Sequence, residues 1–100
     1  MVVQVLYFEG CPHHQPALEL ARDVLAELEL SAELREVEVR TREDAERLRF
    51  LGSPTIRVDG VDIEPGAEER DGFALGCRIY DGSGVPAREL LASALRDVSP

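Results

Sequence analysis

The 100-residue chain contains no Lys, no Asn and no Trp, and all 11 of its basic residues are Arg. Against them stand 20 acidic residues, for a net charge of −9. A surface of that sign repels phosphate backbones and anionic headgroups, so neither nucleic acid nor a membrane is an expected partner. Long apolar runs are missing as well. "VVQVLYF", residues 2–8, is far short of the roughly 20 residues a spanning helix needs, and no basic leader or small-residue cleavage site flanks it. The expected location is the cytoplasm. Cysteine occurs only twice, at Cys11 and Cys77, and where thiols are kept reduced such residues serve catalysis, bind metal or lie inert instead of stapling the fold. Repeats and low-complexity tracts are absent.

What is present suits one small domain over residues 1–100, with 44% hydrophobic and 31% charged residues around a single core. Residues 2–8 are nearly all apolar with β-branched and aromatic content, the pattern of a strand buried on both faces. From Ala17 to about Leu30, Leu18, Ala21, Leu25 and Leu28 recur at helical spacing opposite Glu19, Arg22, Asp23 and Glu27. Pro12 and Pro16 blur the start of that helix, because a proline at its fifth position would delete a backbone bond. "AELREVEV", residues 32–39, reads as an edge strand, and Thr41 is placed to cap a short helix over about Arg42–Phe50. "PTIRVDGVDI", residues 54–63, is a hairpin around Asp59-Gly60, and a last helix follows Pro86. The order β-α-β-α-β-β-α with a right-handed first crossover predicts an α/β fold: a four-stranded mixed sheet with helices on both faces, in thioredoxin-like order.

Chemistry concentrates at the end of the first strand. Cys11 sits where strand gives way to helix, where backbone N–H groups and the helix dipole stabilise a thiolate. His14 stands three residues on, in the place of the second cysteine of a C-x-x-C motif, where an imidazole could exchange a proton with the Cys11 sulfur; His13 has the weaker claim. The bland alternatives are a buried turn cysteine and two solvated histidines. A cis peptide at Ser53-Pro54, in "GSPT", would turn backbone groups toward an extended substrate.

"FEGCPHH" before a helix and "GSPTIRVDG" before a hairpin resemble the two active-site corners of the thioredoxin superfamily, over about residues 2–64. More narrowly, "YFEGCP", "FLGSPTIRVDG", "EPG" and "CRIY" resemble segments of small bacterial thioredoxin-like proteins, a group with selenocysteine-containing members and members labelled alkylmercury lyase-like. The resemblance implies a thiol-dependent oxidoreductase acting on a disulfide or peroxide. Cys11 would be its nucleophile, His14 its helper and Pro54 a cis residue close to Cys11, with Pro12, His13, Ser53 and Thr55 completing the substrate-contacting set. It implies no cofactor. "CPHH" departs from the pattern by lacking the second cysteine, so release of Cys11 falls to Cys77 or to an external partner, a small-molecule thiol such as glutathione or a thiol-bearing protein. Cys77 lies outside the matched part, on a glycine-rich segment expected to move, or else buried in a satellite core with Phe73, Leu75, Ile79 and Tyr80. Two other classes stay open. One is a mercury-type soft-metal site using Cys11, Cys77 and a His or Asp71; the other is a binding module without turnover. Zinc held by Cys11, His13, His14 and Cys77 is disfavoured, because adjacent histidines rarely converge on one tetrahedral ion.

Overall fold

The computed structural model describes residues 1–98. Its strands are β1 (Val2–Tyr7), β2 (Glu33–Glu38), β3 (Thr55–Val58) and β4 (Val61–Asp62), and its helices α1 (His14–Glu27), α2 (Arg42–Arg47) and α3 (Arg88–Val98). The sheet runs β2-β1-β3-β4: β1 pairs parallel with β2, and β3 antiparallel with both β1 and β4. This is the mixed four-stranded α/β arrangement the periodicities predict. No helix among the described residues is long and apolar enough to cross a membrane.

Alternation along the strands decides which helix covers which face. Val3, Val5, Ile56 and Val58 form one face and pack against Ala17, Leu18, Ala21, Val24 and Leu25 of α1 and Leu91, Ala92 and Leu95 of α3. Leu91 and Leu95 are fully buried, each contributing about 1.5–3 kcal/mol of apolar transfer free energy. Leu6 points the other way and packs with Val39, Ala45 and Phe50 under α2. Arg57 lies on that second face and donates to the Leu48 and Arg49 carbonyls (2.7 and 3.0 Å), satisfying the C-terminal end of α2.

Local signals explain the boundaries. Thr41 Oγ1 accepts from the Asp44 N–H at 3.0 Å, the expected N-cap. Asp59 and Gly60 both have positive φ, +49° and +85°, as a type I′ turn requires. Helix α1 begins three residues earlier than its apolar spacing predicts, at His14 with His13 as N-cap. Pro16 therefore occupies the third helical position, where its missing N–H is one the helix leaves unbonded anyway, and no kink follows.

Candidate functional site

Three loops meet at the end of the sheet where β1 leaves and β3 enters: the turn after β1, the Gly52–Pro54 corner and residues 75–84. Register sets this up, since Leu6 near the end of β1 pairs with Thr55 at the start of β3. The turn carries Cys11, whose N–H donates to Phe8 O at 3.2 Å and whose carbonyl accepts from His14 N–H at 3.3 Å. Cys11 is buried, at 9% exposure. It lies two residues before the N-cap His13, in the Phe8–Cys11 turn that precedes the helix. Pro12 between them is exposed.

Each histidine ring has a neighbour outside the Cys11 turn. The His14 ring stacks on Tyr7 with centroids 3.6 Å apart and planes within 6°. Its Nε2 lies 2.7 Å from Glu36 Oε1, at ion-pair distance but out of line for a hydrogen bond. Tyr7 and Glu36 project from the same sheet face as α1, so the first turn of the helix carries the imidazole onto β1 and β2. Partial burial, with Glu38 and Glu36 adding, pushes the Tyr7 hydroxyl above its ordinary range. His13 turns to the opposite neighbour: a Cβ placed on Gly84 would fall 2.4 Å from its Cε1, so the imidazole fills the space a side chain would need there. His13 Nδ1 is buried without a partner, and the ring packs against Gly84.

The Ser53-Pro54 peptide is cis, and Ser53, Pro54 and Thr55 are all buried. Their expected role in pairing with an extended substrate is displaced, because the chain's own residues 76–78 lie against them. Ser53 N–H donates to Gly76 O at 2.8 Å, and Arg78 N–H donates to Ser53 O at 3.0 Å. This parallel bridge sets Cys77 opposite Ser53, about 5 Å away by ordinary strand spacing. Gly52 makes the approach possible: its φ is +126°, and a Cβ there would sit 3.0 Å from Arg78 N and Cβ.

Residues 77–80 alternate like a strand. Cys77 and Ile79 are exposed, whereas Arg78 and Tyr80 point inward at 2% and 3% exposure. The anticipated apolar satellite core is thus a polar one. Arg78 donates to both Asp62 oxygens (2.6 and 3.0 Å), to Glu64 Oε1 at 3.0 Å and to Thr55 Oγ1 at 3.2 Å, and its guanidinium lies over the Tyr80 ring. Burial pulls its pKa down, but the Asp62 hydrogen bond, Tyr80 and Glu64 outweigh burial and the net direction is up. The Tyr80 hydroxyl donates to Pro54 O at 2.6 Å, and burial pushes its own pKa well up. Arg78 was the residue most easily missed: in "CRIY" it looks like a solvated charge, and only the two carboxylates converging from β4 and beyond show otherwise.

Both cysteines are free thiols, one buried and one exposed. Among the described residues no three Cys, His, Asp or Glu side chains converge as a metal site, so the Cys11–Cys77–Asp71 and Cys11–His13–His14–Cys77 sets are not assembled. Comparison of the chain with family models, curated proteins and solved structures finds no match.

Proposed function

We propose that the chain is a thioredoxin-like thiol–disulfide oxidoreductase whose working pair is Cys11 and Cys77. The observation that carries this reading is the backbone pairing of Cys77 with Ser53, which tethers an exposed second thiol at the sheet end that also holds Cys11. "CPHH" has no second cysteine, and a thiol held through tertiary contact supplies the missing resolving group. In the cycle, the Cys11 thiolate attacks one sulfur of a disulfide, that S–S bond breaks, and a mixed disulfide forms as one thiol leaves. Cys77 thiolate then attacks Cys11 Sγ and expels the second thiol. The protein is left with a Cys11–Cys77 bridge, two electrons having passed to the substrate, and an external dithiol restores it. Forming the bridge requires the two Cα atoms to lie within about 7 Å of each other.

The test is mild oxidation of the reduced protein with hydrogen peroxide, followed by intact mass and thiol counting. Loss of two hydrogens and both thiols is expected, and Cys11→Ser or Cys77→Ser should abolish it. Oxygen added to Cys11 while Cys77 stays free would overturn the pairing.

A further inference from the structure

We infer that the groove between α3 and the β4 edge of the sheet docks an amphipathic helix of a partner protein, one with Arg or Lys on both sides of its apolar stripe. The groove contains neither cysteine, and the inference does not depend on the thiol reading above.

The helices cover the sheet unevenly. Between them α1 and α3 bury Val3, Val5, Ile56 and Val58, but this layer stops short of the edge strand. Val61 pairs directly with Val58 and so projects from the same face, yet it stays 65% exposed while Val58 is buried. Between that edge and α3 lies an open groove of about 420 Å³. Its α3 wall is a second apolar stripe on that helix. Leu91, Ala92 and Leu95 face the core, whereas Leu90, Ala94 and Val98 line the groove with Ser93 and Asp97 between them. Positions 90, 93, 94, 97 and 98 are the i, i+3, i+4, i+7, i+8 set that one helix presents to another. Val98 at its end is 41% exposed, and the short side chains of Ser93 and Ala94 at its middle let a second helix approach closely. An added strand fits less well, because β4 is two residues long and offers little backbone ladder.

The lining also sets the charge of the occupant. Four carboxylates border the groove, those of Asp62, Glu64, Glu68 and Asp97, and no Arg or His does. Asp62 and Glu64 are held by Arg78 and Arg70. Glu68 on one wall and Asp97 on the other are exposed and make no ion pair among the described residues, the neighbouring Arg70 and Arg96 being spent on Glu64 and Glu89. A complementary partner therefore brings positive charge to both sides of its stripe. A second copy of the chain does not: α1 carries three acids and one Arg, α2 three and two, and α3 two of each.

The experiment titrates the full-length protein with a capped synthetic Leu/Lys helix of about four turns, Leu on one face and Lys elsewhere, by calorimetry and by amide chemical shifts. Saturable binding is expected, with shifts clustered on residues 58–68 and 90–98. Ser93→Arg, which puts a bulky cation into the groove, should abolish it. Glu68→Gln combined with Asp97→Asn should weaken it about 2- to 25-fold, from about 1.4- to 5-fold per exposed charge contact. Removing two exposed acids from α1 instead, by Glu19→Gln with Asp23→Asn, should weaken it less. All five positions are exposed, and circular dichroism checks that each variant keeps the fold. No binding, equal weakening by the two double variants, or shifts centred elsewhere would overturn the inference. Equally tight binding of a Leu/Glu helix would refute the charge argument, and equally tight binding of a scrambled Leu/Lys peptide the helical one. A dimer in sedimentation equilibrium that Ser93→Arg dissociates would assign the groove to a second copy and overturn it as well.

Discussion

Replacing Arg78 with Met should be the most damaging single change outside the apolar core. Methionine keeps most of the stem's volume but removes the guanidinium that neutralises Asp62, whose side chain is only 10% exposed, and that satisfies Thr55 Oγ1. Stranding one partner of a buried ion pair costs about 3–5 kcal/mol. Glu64 softens the loss on its own side, since Arg70 also reaches it at 2.6 Å. A domain of this size has about 5–15 kcal/mol in total, and each 1 kcal/mol shifts its Tm by about 4–8 °C. The lower ends of these ranges already predict a fall of about 12 °C. Thermal unfolding followed by circular dichroism measures it, and hydrogen exchange at the Ser53 amide reports whether its bond to Gly76 O loosens in step. Adding Asp62→Asn to Arg78→Met should recover part of the loss, because a neutral amide needs no counter-ion. An Arg78→Met protein melting within about 4 °C of the parent would show that the Asp62–Arg78 pair is not what holds residues 76–80 down.

Gly52→Ala should destabilise by about 1–3 kcal/mol, because it places a Cβ against Arg78 at a φ of +126° that side chains rarely adopt, and chemical denaturation gives the value directly. Thr41→Ala removes the side-chain acceptor for the Asp44 N–H and should cost about 1 kcal/mol in the same assay. Asp44 itself supplies a pH test. The hydrogen bond from Arg47 holds its carboxyl below the ordinary range, so its folded pKa is the lower one; the stabilisation is present at neutral pH and is lost as pH falls through the acid range below about 4. Melts of the parent and Asp44→Asn should therefore differ at pH 7, and the difference should shrink as the pH falls below the ordinary carboxylate range.

Much of the scaffold was legible because short-range rules set it. Alternation in β1, the Asp59-Gly60 turn and the Thr41 cap each depend on residues within a few positions of one another. The start of α1 was misplaced because apolar spacing marks only where a helix touches the core, and its first turn here touches Tyr7 and Glu36 through His14 instead. The cysteines were legible as candidates, but their surroundings were not. Nothing within a few residues of His14 foretells that Glu36, twenty-two positions on, draws its ring onto β2.

By itself, then, the sequence determined which segments become strands and helices and that the chain carries a net negative charge, since periodicity, turn chemistry and charge are properties of neighbouring residues or of the whole composition. Only the tertiary structure decided what surrounds the thiols. Arg78 became a buried anchor because Asp62 and Glu64, 16 and 14 residues away, reach it when residues 76–80 cross the second face of the sheet. Ser53 lost its open backbone groups to Gly76 and Arg78 by the same crossing, and Cys77 was fixed beside it. Such contacts join residues far apart along the chain, and their energies depend on burial that no local pattern encodes.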